Sequence, residues 1–254
     1  MSEAIDLRKI LEGWAYDPEN DARISKVTGG REVLQVRTPL GLEQYELDGR
    51  PDGKRHHGRE SVLEFHLARY EAAKIAGTTE EFDLAPADCA ELFNEGTLYY
   101  LRYVRLFQLR DWPRTIRDTA RNLRVFDFVR EHARREEDQQ FLEKWRPYIL
   151  RVNTSASAMQ QLEKSCYQKA LSILTEAMEK IEGLEDLEDD TFAFERERSL
   201  GALRELAAQI QKNRPLSELE QLERQLGRAI EKQEFERAAQ LRDKIRHLKS
   251  QQVC

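Results

Sequence analysis

From residue 60 to about residue 210 almost every position suits an α-helix, and this long run limits the chain to a mainly helical fold. The breaks fall at Pro86, at Pro113 (suited to the first turn of a helix), at Pro147 with Asn153 and Ser155, and at Gly183. Composition agrees. Charged residues make up 35% of the chain, above the roughly 25% of an average globular protein, with only 12 Gly and 7 Pro in 254 residues. Such a sequence builds long solvated helices, and its 40% hydrophobic content is enough for a core.

The first 58 residues differ in character. Residues 3–14 place Ile5, Ile10, Leu11 and Trp14 on one helical face. Three β-prone runs follow, at 23–28, 32–38 and 42–47, separated by Gly29-Gly30 and by Pro39-Leu40-Gly41. They predict a three-stranded meander. The loop 48–58 sets two glycines beside Lys54 and Arg55, where backbone N–H groups would meet a phosphate, but its spacing fits no phosphate-loop motif. It reads as a connection, and an enzyme using this loop is the most remote functional class. His56 and His57 lack a partner at ligand spacing, and Cys89, Cys166 and Cys254 form no Cys-x-x-Cys pair. The expectation is therefore no catalytic residue, no metal and no cofactor. A net charge of -6 disfavours whole-chain affinity for DNA or anionic membrane. The absence of a run of about 20 apolar residues, or of a leader-like start, points to a cytoplasmic protein with no membrane partner.

Within the body, 59–183, two helical hairpins repeat: 98–134, broken at 110–113, and 153–181, broken at 164–166. Aligning the breaks sets Trp112 over Tyr167, Thr115 over Ala170, Thr119 over Leu174 and Asn122 over Ala177. The second pair resembles the back half of a tetratricopeptide repeat, and an ordinary helical bundle explains the pattern equally well. After Pro113, Arg114, Arg117, Arg121 and Arg124 line one helix face, with Phe128 on the same side and Ile116, Ala120 and Leu123 expected in the core. Two readings of the stripe stand: docking of an acidic protein segment or nucleic acid, and internal pairing or plain solvation. Residues 184–214 read as an acidic connector and a linking helix, with Phe192 and Phe194 as its anchors.

Residues 215–254 carry the strongest pattern. Ser217 and Glu220 fit a capping box. Leu219, Leu222, Leu226 and Ala229 form one apolar seam; Phe235, Ala238, Leu241 or Arg242, Ile245 and Leu248 form a second, after a turn near 232–234. Facing each other, the seams predict an antiparallel helical hairpin, marginal by itself at this size. The run Phe235-Glu236-Arg237-Ala238-Ala239-Gln240-Leu241-Arg242-Asp243-Lys244-Ile245, with Leu226-x-x-Ala229 before it, resembles the UVR motif of the excision-repair proteins UvrB and UvrC, found also in Clp-protease regulators and their adaptors. The resemblance implies a protein-binding hairpin, with Phe235, Glu236, Ala239, Arg242 and Leu226 as partner-binding residues. The layout resembles that of bacterial proteins carrying such a hairpin. The expectation is an adaptor or scaffold that captures a protein partner or a second copy of itself through 215–254. The alternative is a nucleic-acid-associated accessory factor using the arginine stripe.

Overall fold

The computed structural model describes residues 6–215 and 218–251. The chain is mainly helical, with a small three-stranded antiparallel sheet near the N-terminus and a pair of helices at its C-terminal end. The first helix, α1 (Leu7–Leu11), is shorter than its apolar spacing suggests; the Asp6 side chain caps it by accepting from the Arg8 N–H. Residues 1–5 lie outside the described residues. Strands β1 (Ala22–Lys26), β2 (Glu32–Thr38) and β3 (Gly41–Glu46) pair in sequence order, with Ile24 opposite Leu34 and Leu34 opposite Tyr45. Gly29 and Gly30 turn β1 into β2 at φ 87° and 78°, angles that side chains resist.

Eight larger helices and one short one follow among the described residues: α2 (Val62–Ala76), α3 (Pro86–Gln108), α4 (Trp112–His132), α5 (Glu136–Phe141), α6 (Arg146–Glu163), α7 (Tyr167–Glu182), α8 (Asp190–Asn213), α9 (Glu218–Glu231) and α10 (Phe235–Gln251). The sheet packs Leu34, Val36, Tyr45 and Leu47 on Leu106 of α3. The main core joins α2, α3 and α4 through Val62, Leu63, Leu92, Val125 and Val129. Phe128 belongs to this core, beside Tyr70, Phe82 and His132, and is not part of an exposed arginine face. Among the described residues no helix is long and apolar enough to cross a membrane.

The structure changes three expectations. Helix α6 runs unbroken through Asn153 and Ser155; the break lies earlier, and Pro147 sits in the first turn. Asn153 Nδ2 donates to Ile116 O at 3.1 Å and Thr119 Oγ1 at 2.8 Å on α4, so the side chain does not compete with its own helix backbone. The inward face of α4 is also different: Trp112, Thr115, Asp118, Thr119, Asn122 and Val125 are buried, whereas Ile116 and Leu123 are half-buried and Ala120 is exposed. Packed between α3 and α6, α4 uses small and polar residues whose hydrogen bonds are met within α4 or by α3. Thr115 Oγ1 donates to Asp111 O, Thr119 Oγ1 to Thr115 O, and Asn122 Nδ2 to Gly96 O. Third, of the two phenylalanine anchors expected in the acidic stretch only one is buried; Glu185, Asp186 and Glu188, ahead of α8, are exposed as a connector's acids would be. Asp189 caps α8, which buries Phe192, Glu195, Ser199 and Leu203 along one face, while Phe194 points to solvent.

Three helix pairs share one turn. Arg110, Ser165 and Gln233 each adopt the left-handed conformation, at φ 60°, 57° and 58°. In each, the next residue's N–H returns to the carbonyl five positions back: Asp111 to Leu106, Cys166 to Gln161, Glu234 to Ala229. This Schellman-type closure ends one helix. An aromatic residue (Trp112, Tyr167 or Phe235) then opens the following helix. Tertiary contacts divide the chain into residues 1–207 and 208–254.

Candidate functional site

Helices α9 and α10 pack on one another through Ala229, Ala238 and Leu241, with Leu222 and Leu226 against that cluster. Ile245 is buried and Arg242 exposed, so the second seam runs through Leu241. The side chains of Leu219 and Leu248, and the Ser217–Glu220 capping box, lie outside the described residues. Phe235 departs from the expected seam: it is 72% exposed. At 3.6 residues per turn it lies about a quarter turn from the centre of the Ala238–Leu241–Ile245 stripe. Ile230, on the other side of the same turn, is also exposed. Two large apolar side chains therefore flank the turn of a hairpin whose own seam is already filled. Of the other expected partner-binding residues, Glu236 is exposed, Ala239 is half-buried and Leu226 packs inside the hairpin.

The equivalent aromatics in residues 1–207 are covered. Trp112 is buried; its ring meets Phe107 edge-on at 5.4 Å, and its Nε1 donates to Glu163 Oε1 of α6 at 2.6 Å. Tyr167 is half-buried. No comparable side chain covers Phe235 among the described residues.

Three arginines of the stripe, Arg117, Arg121 and Arg124, line a cleft of about 360 Å³ with Glu60, Glu64, Tyr99 and Asp118; Arg114 lies outside it. Each arginine has a carboxyl partner. Arg114 Nη1 meets Asp111 at 2.7 Å. Arg117 meets Asp48 at 2.6 Å and Asp118 at 3.0 Å, and donates to Leu47 O at 2.5 Å. Burial alone would lower the Arg117 guanidinium; the Asp118 and Asp48 carboxyls outweigh it and raise it. Arg121 pairs with buried Glu95 and stacks on Tyr99, 4.1 Å from the ring centre. Glu95 in turn accepts from the Val62 and Leu63 N–H groups at 2.7 and 3.3 Å, placing a carboxyl at the positive end of α2. Arg124 is the loosest member, more than half exposed and 3.8 Å from Glu64.

The 48–58 loop is held from below. Arg102 donates to Gly49 O at 2.9 Å, Arg50 pairs with Glu95 at 3.3 Å, and His56 lies 3.3 Å from Glu91. His56 and His57 pack on Phe65. Among the described residues no group of three or more His, Cys, Asp or Glu side chains converges as metal ligands would.

The sequence reading aligns the first two turns through Trp112 and Tyr167; what it misses is that Phe235 follows the same turn. Its signal is a non-glycine polar residue two places before an aromatic, in Arg110-Asp111-Trp112, Ser165-Cys166-Tyr167 and Gln233-Glu234-Phe235.

Compared with known proteins, residues 217–251 match the family described as UvrB/uvrC motif. No curated protein and no solved structure matches the chain.

Proposed function

We propose that this protein is a non-enzymatic adaptor that captures a helical segment of a partner protein, or of a second copy of itself, on its terminal hairpin. The observation that carries this reading is the contrast between Trp112 and Phe235. Both open a helix after the same left-handed turn, yet one lies under a neighbouring helix and the other is bare. An aromatic of this kind gains most when a second helix covers it. Ala239 leaves room for a close backbone, while exposed Glu236 and Arg242 supply a polar rim. The match to the UvrB/uvrC motif lends support, since hairpins of that type are expected to join proteins. The stacked hairpins of the body suit a repeat-like scaffold that presents this tail. A polyanion-binding stripe finds less support, because its arginines already hold carboxyl groups.

The test compares the full chain with one ending at residue 213. Sedimentation equilibrium reports self-association, and affinity capture from the source cells reports partners. The adaptor reading expects a lower oligomeric state, or the loss of a stoichiometric partner, with unchanged circular dichroism from the body. Identical mass and identical captured proteins would overturn it.

A further inference from the structure

Within residues 1–207, a cavity of about 510 Å³ opens between α3, α4, α6 and α8. That volume falls in the range of small-molecule sites. Leu92, Tyr103, Val125 and Ile149 line it as buried apolar wall. Tyr100, Phe141 and Trp145 also line it, and all three are 41–48% exposed. A soluble surface seldom gathers three half-exposed aromatic rings around one opening without use. Phe141 is held by stacking on Phe93, with ring centres 4.7 Å apart and planes 22° from parallel.

One polar group in this wall is incompletely satisfied. Glu195 of α8 is 5% exposed. Its Oε1 accepts from Arg198 Nη1 at 3.4 Å, whereas its buried Oε2 has no hydrogen-bond partner among the described residues. Arg151 Nη2 lies 3.9 Å from Oε2, beyond hydrogen-bond reach. A buried acceptor left unmet is costly, and a carboxyl turns readily about its last torsion to offer either oxygen.

We propose that this cavity binds a small neutral aromatic molecule carrying an N–H or O–H donor, its ring between the aromatic side chains and its donor on the Glu195 carboxyl. The neighbouring charges select a neutral donor. Arg198 and Arg151 already approach this carboxyl, so a ligand ammonium would bring a third cation. A ligand carboxylate would face Glu195 itself. This site is separate from the terminal hairpin and stands or falls independently of it.

The probe pair is indole and 1-methylindole, matched in shape and differing in the donor. Isothermal titration and saturation-transfer NMR on the full chain should show indole binding about fivefold more tightly, the worth of one ordinary hydrogen bond. Glu195→Gln keeps an acceptor and should keep the preference. Glu195→Leu should bind both probes alike. Gly96 lines the cavity, and a Cβ there would meet nothing closer than Asn122 Oδ1 at 3.9 Å; Gly96→Leu should block both probes, its fold checked by circular dichroism. The proposal fails if indole does not bind at its solubility limit, or if the wild type binds both probes equally. It also fails if the preference survives Glu195→Leu, or if Gly96→Leu leaves binding unchanged while circular dichroism shows a native fold.

Discussion

Arg102 of α3 and Asp118 of α4 form a two-point pair in which neither side chain reaches water: Nε to Oδ2 at 2.7 Å and Nη2 to Oδ1 at 2.8 Å. The remaining Nη1 donates to Glu46 O at 2.7 Å and Gly49 O at 2.9 Å. One guanidinium thus ties α3 to α4 and to the end of the sheet. Removing Arg102 strips buried Asp118 of its two-point partner, leaving it with Arg117, and strands the Glu46 and Gly49 carbonyls, a loss of up to about 3–5 kcal/mol. Arg102→Ala should lower the unfolding free energy measured in urea by that much, whereas Arg102→Met with Asp118→Leu should recover most of it. Equal losses in the single and double variants would show that the carbonyl bonds, and not the pair, dominate.

The arginine stripe should divide by burial. Arg121→Glu places a second carboxyl against buried Glu95 and should destabilise by several kcal/mol. Arg124→Glu, at an exposed site, should change stability by no more than about 0.5 kcal/mol. Thermal unfolding of both variants, with DNA binding followed at low salt, checks the point. A stable Arg121→Glu protein that has lost DNA affinity would restore the docking reading.

The contrast between Arg121 and Arg124 also shows what the sequence made legible. Spacing alone placed these arginines on one helix face, located three strands within a residue or two, and marked the terminal hairpin by its apolar seams. Spacing carried no information about Glu95, which lies on another helix and turns two of its oxygen contacts toward α2. The core face of α4 was hidden for a related reason. Thr115, Asp118, Thr119 and Asn122 score as polar; the two threonine hydroxyls are met by carbonyls one turn back, while Asp118 and Asn122 are met by partners on α3 that spacing cannot show. Phe235 was misplaced because a residue in the first turn of a helix shares the spacing of a stripe without pointing along it.

Acid should loosen the α2–α3 contact. His66 is buried; Arg69 Nη1 lies 3.0 Å from its Nδ1 and donates there, so the neutral ring carries its proton on Nε2. Burial holds His66 below its usual pKa, and His132 shifts in the same direction for the same reason. The unfolded chain therefore binds more protons below about pH 6.5. Stability is full above that value and falls as pH drops through it, by up to about 1.4 kcal/mol per pH unit for each such group. Melting temperatures between pH 7.5 and 5.5 should decline in the wild type and decline less in His66→Leu. Parallel curves would remove His66 as the cause.

The last prediction concerns Phe235. Because its side chain is 72% exposed and lies outside the Ala229–Ala238–Leu241 cluster, truncation should not melt the hairpin. Had Phe235 filled the seam, Phe235→Ala would cost about 3–5 kcal/mol, more than so small a hairpin holds. Exposed, it should cost almost nothing in the isolated chain, and helicity should be unchanged. Association is where the loss should appear. Aromatic side chains that anchor an interface cost about 2 kcal/mol or more when truncated, roughly a thirtyfold weakening. Ile230→Ala, across the same turn, should weaken association less, since aliphatic side chains less often dominate an interface. Gly227→Ala is the control. It lies in the middle of α9 with open space at its Cβ, so it should raise hairpin stability by up to about 1 kcal/mol and leave association intact. Association measured by sedimentation, or by titration of a captured partner, then separates folding from binding. Wild-type affinity in Phe235→Ala would mean that the hairpin binds through another face, and the parallel drawn with Trp112 would be withdrawn.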